Sequence, residues 1–162
     1  MKFYDGDGND DLKEFLQYIN IKDFLNTLVE NDILESITEN YSIDCFNKCE
    51  WASSWLSGVF INTKYAKDIL VYDGFFRDSQ HSWIEYKGYF IDITLSQFID
   101  DVPQIAILKK EEALNEIDYQ MDTFWERFKT TKRNLFKYIE EGYAGDFVYR
   151  LDSVKEYMRE AS

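Results

Sequence analysis

The sequence predicts a single α+β domain, because helical periodicity towards both ends of the chain flanks a strand-rich centre. The chain has 162 residues, of which 45% are hydrophobic, and this supplies enough apolar surface for one buried core. Apolar residues recur at helical spacing over residues 9–40 and 108–141. Two central segments, 68–77 and 81–94, are rich in β-branched and aromatic residues and are therefore predicted strands.

The helical segments define the expected organisation of the domain. The first is predicted to divide into two helices near residues 20–23, with Asp23 as the N-cap of the second helix. A third helix is predicted over 48–60, where apolar residues form the wide face that a helix buried against a sheet needs. Beyond Gly142, a natural helix stop, we expect a loop or short strand (143–151) and a short helix (152–160). The expected parts are a helical N-terminal part (1–46), a core of helix and small antiparallel sheet (47–98) and a mainly helical C-terminal part (99–162).

The second strand segment contains a predicted hairpin. Lys87 and Gly88 suit a two-residue turn, in which Gly88 adopts a positive φ. Counting outward from this turn places His81 and Asp92 on the same face of the sheet, as diagonal neighbours. Asp92 lies between two isoleucines, where a carboxylate is costly unless it is exposed or paired. The register therefore predicts a His81–Asp92 pair, and the alternative is a histidine bonded to some other nearby polar group.

Cys49 is predicted at the start of the third helix. Asn47 can cap this helix, and Glu50 can reach back as in a capping box. The helix dipole and the free backbone N–H groups of the first turn stabilise a thiolate at that position. Cys45 lies before the helix and lacks this setting. Cys49 is thus either an activated nucleophile or a small buried hydrophobic residue.

A cysteine at a helix start, followed by His81-Ser82-Trp83-Ile84-Glu85 and then Asp92-Ile93-Thr94, resembles the papain-like and transglutaminase-like proteins. Transglutaminase-like members carry a His-Ala-Trp-Val-Glu type strand and a later Asp-Pro-Thr type segment. The longer segment 88–98 is similar to bacterial and phage papain-fold proteins, including glutamine-deamidase toxins. The resemblance covers about residues 47–98, roughly a third of the chain, and departs from the motif where Ile93 replaces the proline.

The resemblance implies a papain-like or transglutaminase-like domain whose core, 47–98, carries a Cys-His-Asp triad. Cys49 would be the nucleophile, His81, the only histidine, the base, and Asp92 the residue that orients its ring. Such a cysteine hydrolase or acyltransferase acts on a protein or peptide substrate. Glutamine deamidation, transamidation and peptide hydrolysis remain open alternatives.

Other residues are weaker candidates for the site. The backbone N–H of Cys49 and the side chain of Asn47 are candidate oxyanion donors, and Gln97 is a candidate oxyanion or substrate-lining residue. Trp83 could line a substrate groove, although aromatic residues on strands more often belong to the core. No cofactor and no metal are expected. Two cysteines without further Cys or His partners do not make a zinc site, and the acidic segment 5–16 lacks the Gly and Glu of a calcium loop.

The net charge of −13 disfavours binding to nucleic acids and to anionic membranes, and it permits a basic protein partner. The alternative function is therefore a non-catalytic acidic binding protein or inhibitor, which sequesters a basic partner or mimics nucleic acid, as small phage-encoded inhibitors do. The N-terminus lacks the apolar segment of a secretory signal. We therefore expect a cytoplasmic protein, with delivery to another cell by a signal-independent route as the alternative.

Overall fold

The computed structural model describes residues 1–33, 49–77, 79–115, 119–120 and 131–141, and it is a mixed α+β structure built on an antiparallel sheet. Two short 3₁₀ helices, Ala66–Asp68 and Leu95–Gln97, accompany the main elements. In chain order the main elements are α1 (Asp10–Leu16), α2 (Ile21–Glu30), α3 (Cys49–Phe60), β1 (Ile69–Phe76), β2 (Ser79–Tyr86), β3 (Tyr89–Asp92), β4 (Ala106–Lys109), α4 (Lys110–Asn115), β5 (Tyr119–Gln120), β6 (Thr131–Asn134) and α5 (Leu135–Glu140).

The strand order of the sheet is β4-β3-β2-β1-β5, and β6 also pairs with β1. Every pairing is antiparallel. The short strands β5 and β6 pair with residues 75–76 and 70–73 of β1, so together they line the edge of β1 that faces away from β2. The strands β1, β2 and β3 form two consecutive hairpins that share β2, and they are the centre of the fold.

The turn between β2 and β3 is the predicted one. Lys87 has a φ of 45° and Gly88 a φ of 87°, as the two central residues of a type I′ turn require. Tyr86 pairs with Tyr89 across this turn, and the pairing continues outward to β2 residue 84 and β3 residue 91. The predicted register is therefore confirmed.

The sheet is buried on both faces. On one face, Ile84 and Tyr86 of β2 join the apolar side chains of helices α1, α2, α3 and α5 in the larger core cluster. Phe15 of α1 is fully buried there, with its ring stacked 4.1 Å from that of Tyr86. On the other face, Trp83 packs in a second cluster that also contains Phe90. A polar side chain at the centre of either face therefore needs a partner.

Two helix boundaries differ from the prediction. Asn20, and not Asp23, is the N-cap of α2, because its side-chain oxygen accepts from the backbone N–H groups of residues 22 and 23. The helix ends at Glu30, so Ile33, which fits the predicted periodicity, lies beyond it. The third helix is confirmed as α3, whose described residues are Cys49–Phe60 and whose end at Phe60 is the predicted one; the predicted first residue, 48, lies outside the described residues.

The continuous helical pattern predicted over 108–141 is wrong where the described residues form strands, and it is confirmed at α4 and α5. Residues 106–109 form β4, and residues 131–134 form β6. Both segments are short, and β4 pairs with β3 while β6 pairs with β1. This pairing determines their conformation, although their apolar residues have helical spacing. Among the residues of this segment that the structure describes, helix is present as the six-residue elements α4 and α5.

Several predictions lie outside the described residues. They concern the region around Cys45 and Asn47, the stop at Gly142, and the segments 143–151 and 152–160. Within the part of the chain that the structure describes, no helix combines the length and the apolar character needed to cross a bilayer.

Gly88→Ala is expected to destabilise the protein by about 1–2 kcal/mol, because a Cβ at this positive φ is strained. Crowding adds nothing, since no atom lies within 4 Å of the position that the Cβ would occupy. Urea unfolding measures the loss. Lys87→Asn is the control, because asparagine tolerates the left-handed conformation and should leave the stability equal or higher. An unchanged stability in Gly88→Ala would contradict the assigned turn.

Candidate functional site

His81 and Asp92 form a buried pair at the centre of the site. Nε2 of His81 lies 2.5 Å from Oδ2 of Asp92, and the two side chains are 0% and 1% exposed. His81 is the third residue of β2, and Asp92 is the last residue of β3. The hairpin register places them side by side, so the predicted proximity is confirmed.

The second oxygen of Asp92 is held by the chain that follows β3. The backbone N–H of Thr94 donates to Oδ1 over 3.0 Å, and the Thr94 hydroxyl lies 3.5 Å from the same oxygen. This is the local turn that aspartate side chains favour, and it ends the strand at Asp92. The predicted strand through residue 94 is therefore two residues too long. Because each carboxylate oxygen has its own partner, the plane of the carboxylate is fixed relative to the imidazole.

Aromatic rings surround the imidazole. Trp83 stacks on it with a ring-centroid distance of 5.6 Å, and Phe98 contacts it edge-on at 4.9 Å. Phe76 packs against it from β1 at 6.2 Å. Trp83 is itself only 1% exposed, so it belongs to the core, which is the more frequent place for an aromatic residue on a strand. These rings keep water away from the His81–Asp92 pair, and electrostatic interactions are stronger in such a site.

Gln97 approaches the other nitrogen of the ring. The 3₁₀ helix after β3 places the Nε2 atom of Gln97 3.1 Å from Nδ1 of His81. An amide nitrogen only donates, so in this contact Nδ1 is the acceptor, and the ring carries its proton on Nε2, facing Asp92. The carboxylate thus selects the tautomer in which Nδ1 is unprotonated and can accept a proton, as a general base needs.

Cys49, the first residue of α3, reaches the same ring. Its thiol is near enough to His81 to raise the pKa of the imidazole through a hydrogen bond and through its charge, and the residue is 9% exposed. The pairing of β3 with β2 covers β2 residues 84–86, so among the described residues no strand flanks the start of β2 on that side. The predicted cap, Asn47, lies outside the described residues.

The charges of the site favour the protonated ring. Burial by itself lowers the pKa of His81, but the charge and hydrogen bond of Asp92 outweigh it, and Cys49 adds to the rise. The pKa of His81 is raised from 6.5 to about 9. A protonated Nδ1 must donate, so it can bond a thiolate at Cys49 but not the amide nitrogen of Gln97. The contact with Gln97 thus matches the neutral ring, whereas the charge of Asp92 favours the protonated ring.

The sequence reasoning missed a residue on α5. Tyr138 is buried, and its burial raises the pKa of its hydroxyl, with the nearby charges of Asp73, Glu50 and Cys49 raising it further. Tyr138 therefore lies in the electrostatic neighbourhood of the thiol. The predicted long helix over 108–141 gave no reason to place it there. An aspartate followed two residues later by threonine, in contrast, is a turn signal that could have identified the Thr94 contact.

The carboxylate of Glu85, on β2, is also buried and lies on the same face of the sheet as His81 and Asp92. Glu85 accepts a 2.6 Å hydrogen bond from the Tyr72 hydroxyl and pairs with Lys110 at 3.1 Å. Its partners are thus separate from those of Asp92. Among the described residues, no group of three or more His, Cys, Asp or Glu side chains could hold a metal ion.

No protein-family model matches the chain, and comparisons with curated proteins and with solved structures gave no match either.

Asp92→Asn is expected to lower the pKa of His81, because the amide lacks the charge that raises it. A histidine whose pKa rises on folding stabilises the fold fully below its unfolded pKa, and this stabilisation is lost as the pH rises through the folded value. The free energy of unfolding of the unmodified protein should therefore fall between about pH 6.5 and about pH 9, and the fall should flatten in Asp92→Asn. Urea unfolding across this range measures it.

Glu85→Gln is the matched control, because it also turns a buried carboxylate on this face into an amide but leaves the ring alone. NMR of the single histidine reports the pKa directly in each variant. An equal pH dependence in Asp92→Asn and in the unmodified protein would show that the carboxylate does not control the ring.

Proposed function

We propose that the protein is a cysteine-dependent acyl-transfer enzyme with a papain-like or transglutaminase-like fold, in which Cys49 is the nucleophile and His81 the base. One observation carries the proposal. The ring of the only histidine lies between a thiol at the start of a helix and a buried carboxylate, with one nitrogen directed at the carboxylate. This is the arrangement of nucleophile, base and orienting group that covalent catalysis requires.

The first half of the reaction begins with proton transfer from the Cys49 thiol to Nδ1 of His81. The thiolate then attacks the carbonyl carbon of an amide, and the carbonyl electrons move to the oxygen. The N-terminal N–H groups of α3, including that of Cys49, are the candidate donors to this oxyanion. When the electrons return, the carbon–nitrogen bond breaks, the leaving amine takes the proton from Nδ1, and a thioester remains on Cys49.

The second half resolves the thioester. Nδ1 of His81 takes a proton from water or from an amine, which attacks the thioester carbonyl, and Cys49 leaves and is reprotonated. Throughout, Asp92 holds the ring in one orientation and stabilises the imidazolium. Water acting on a glutamine side-chain adduct gives deamidation, an amine gives transamidation, and a backbone amide substrate gives peptide cleavage.

The substrate class that fits is a protein or peptide. The net charge of −13 attracts a basic segment to the enzyme over distances of about a Debye length, roughly 10 Å at moderate salt. Such attraction raises the encounter rate and falls with ionic strength, so salt dependence is part of the proposal.

Thiol alkylation tests the proposed site without a known substrate. In a Cys45→Ser background, Cys49 is the only thiol. We expect it to react with iodoacetamide well below the pH of an ordinary thiol, whose pKa is about 8.5, because the imidazolium stabilises the thiolate. His81→Gln should lower the rate at about pH 6 by roughly tenfold or more. An ordinary profile that ignores His81→Gln would contradict the proposal.

The reaction itself can be identified by mass spectrometry of a protein extract incubated with the enzyme. Deamidation adds about one dalton at glutamine, peptide cleavage makes new termini, and transamidation joins an amine to the substrate with loss of ammonia. Cys49→Ala should abolish the change, and Cys45→Ala, which removes the other thiol, should preserve it. An acidic inhibitor would behave otherwise, since it would keep its effect in Cys49→Ala and lose it when clustered Asp and Glu residues are neutralised.

Gln97 has a defined part in this proposal. Its amide donates to the same Nδ1 lone pair that must accept the thiol proton, so it competes with Cys49 in the neutral state. Gln97→Leu, which keeps the size but removes the donor, should raise the alkylation rate at about pH 6 by about twofold to fivefold, the equivalent of a weak hydrogen bond. Ser96→Ala, in the same 3₁₀ helix, is the control. An unchanged rate in Gln97→Leu would exclude the competition.

A further inference from the structure

We propose that a hydrogen bond between Ser53 and Ser82 positions the nucleophile against the base. The inference rests on the proposed function, since it assigns to this bond the spacing between Cys49 and His81. The two hydroxyl oxygens lie 2.7 Å apart, and the residues are 1% and 3% exposed. The bond joins α3 to β2 on the face of the sheet opposite to the imidazole.

The Ser53–Ser82 bond lies close to the proposed site in both elements that it joins. Ser53 follows Cys49 by four residues, so it lies one helical turn further along the same face of α3. Ser82 follows His81 directly in β2. The bond is therefore made one turn from the thiol and one residue from the imidazole, through a helix and a strand that are themselves rigid.

A third residue lies beside the bond. Ser82 pairs with Asp73 on the neighbouring strand β1. Burial raises the pKa of Asp73, and a hydrogen bond with Ser82 opposes that rise. The Ser82 hydroxyl is therefore a neighbour of both Ser53 and the Asp73 carboxyl.

The same carboxylate connects the bond to the end of the described chain. Arg133 of β6 lies 3.4 Å from Asp73 through Nη1 and 2.5 Å from Glu141 through Nε. The polar chain from Ser53 to Glu141 therefore crosses from α3 through β2, β1 and β6 to the residue that follows α5. A serine hydroxyl in such a chain has a defined location, and a displacement of α3 would break several contacts.

The apolar contacts of α3 do not give the same precision. Ala52, Trp55 and Leu56 pack in the larger core cluster, and apolar contacts are non-directional, so they tolerate small shifts along the helix axis. A hydrogen bond weakens steeply when its geometry changes. Since a misplacement of about 1 Å can cost about 100-fold in rate, the directional contact nearest to the thiol is the one that sets its position.

The test is a double-mutant cycle with a chemical readout. In the Cys45→Ser background, Ser53→Ala, Ser82→Ala and the double variant are alkylated with iodoacetamide across pH, and their urea unfolding is measured in parallel. Each single variant should lower the alkylation rate at about pH 6 by about threefold to tenfold. This change corresponds to the net free energy of one hydrogen bond. The double variant should fall no further than the larger single effect.

Two neighbouring serines supply matched controls. Ser57 is fully buried, and its hydroxyl donates to the backbone oxygen of Ser53 within the helix. Ser54 is 2% exposed, and its hydroxyl has no hydrogen-bond partner among the described residues. Ser57→Ala and Ser54→Ala should leave the alkylation profile unchanged, whatever they do to stability.

Three outcomes would overturn the inference. One is a loss of stability in Ser53→Ala and Ser82→Ala with an unchanged alkylation profile, which would make the bond merely structural. A second is additive losses in the double variant, which would mean that the two hydroxyls act separately. The third is an ordinary thiol profile in the unmodified protein, which overturns the proposed function itself and is distinguishable because it appears before any serine is changed. If Ser82→Ala does not fold, Ser53→Ala and its two helix controls make the same test.

Discussion

The burial of one carboxylate governs the centre of this structure. Asp92 lies in an apolar strand, at a depth where an ionised group without partners costs several kcal/mol. The fold meets this cost with one partner for each oxygen, His81 on one side and the backbone of Thr94 on the other. The end of β3, the turn that follows and the orientation of the imidazole are all consequences of keeping that carboxylate paired.

The pair explains the chemistry of the nitrogen that faces away from it. With Nε2 of His81 bound to Asp92, only Nδ1 can exchange a proton with another group. Gln97 occupies that side of the ring, and Cys49 also contributes to the raised pKa of His81. In the proposed mechanism a fixed base thus acts on a nucleophile carried by a different element, and the hydrogen bond of Ser53 with Ser82 joins these two elements close to both groups.

The sequence predicts the contacts between residues that are close together in the chain. It does not predict the strands whose partners lie far away in the chain. The turn at Lys87 and Gly88 fixes the register by its own backbone requirements, so the pairing of His81 with Asp92 follows from counting residues. The strands at 106–109 and 131–134 have no comparable local signal, and their conformation depends on the edges that they join. By sequence, Trp83 fits a core position better than a groove position, and the packing of both faces of the sheet places it in the core. The cap of α2 was ambiguous because Asn20 and Asp23 are both good capping residues.

The order of these elements along the chain has a consequence for the maturation of the protein. The imidazole and its carboxylate are 11 residues apart and belong to one hairpin, whereas the serines that join helix to strand are 29 apart. Short-range contacts close at lower entropic cost, so the acid–base half is expected to form before α3 docks on it. Cys49 then acquires its charged neighbour only in the last step. A newly made chain would therefore carry two thiols of ordinary reactivity. In the proposed mechanism, the thiol of Cys49 would become more reactive only after α3 has docked.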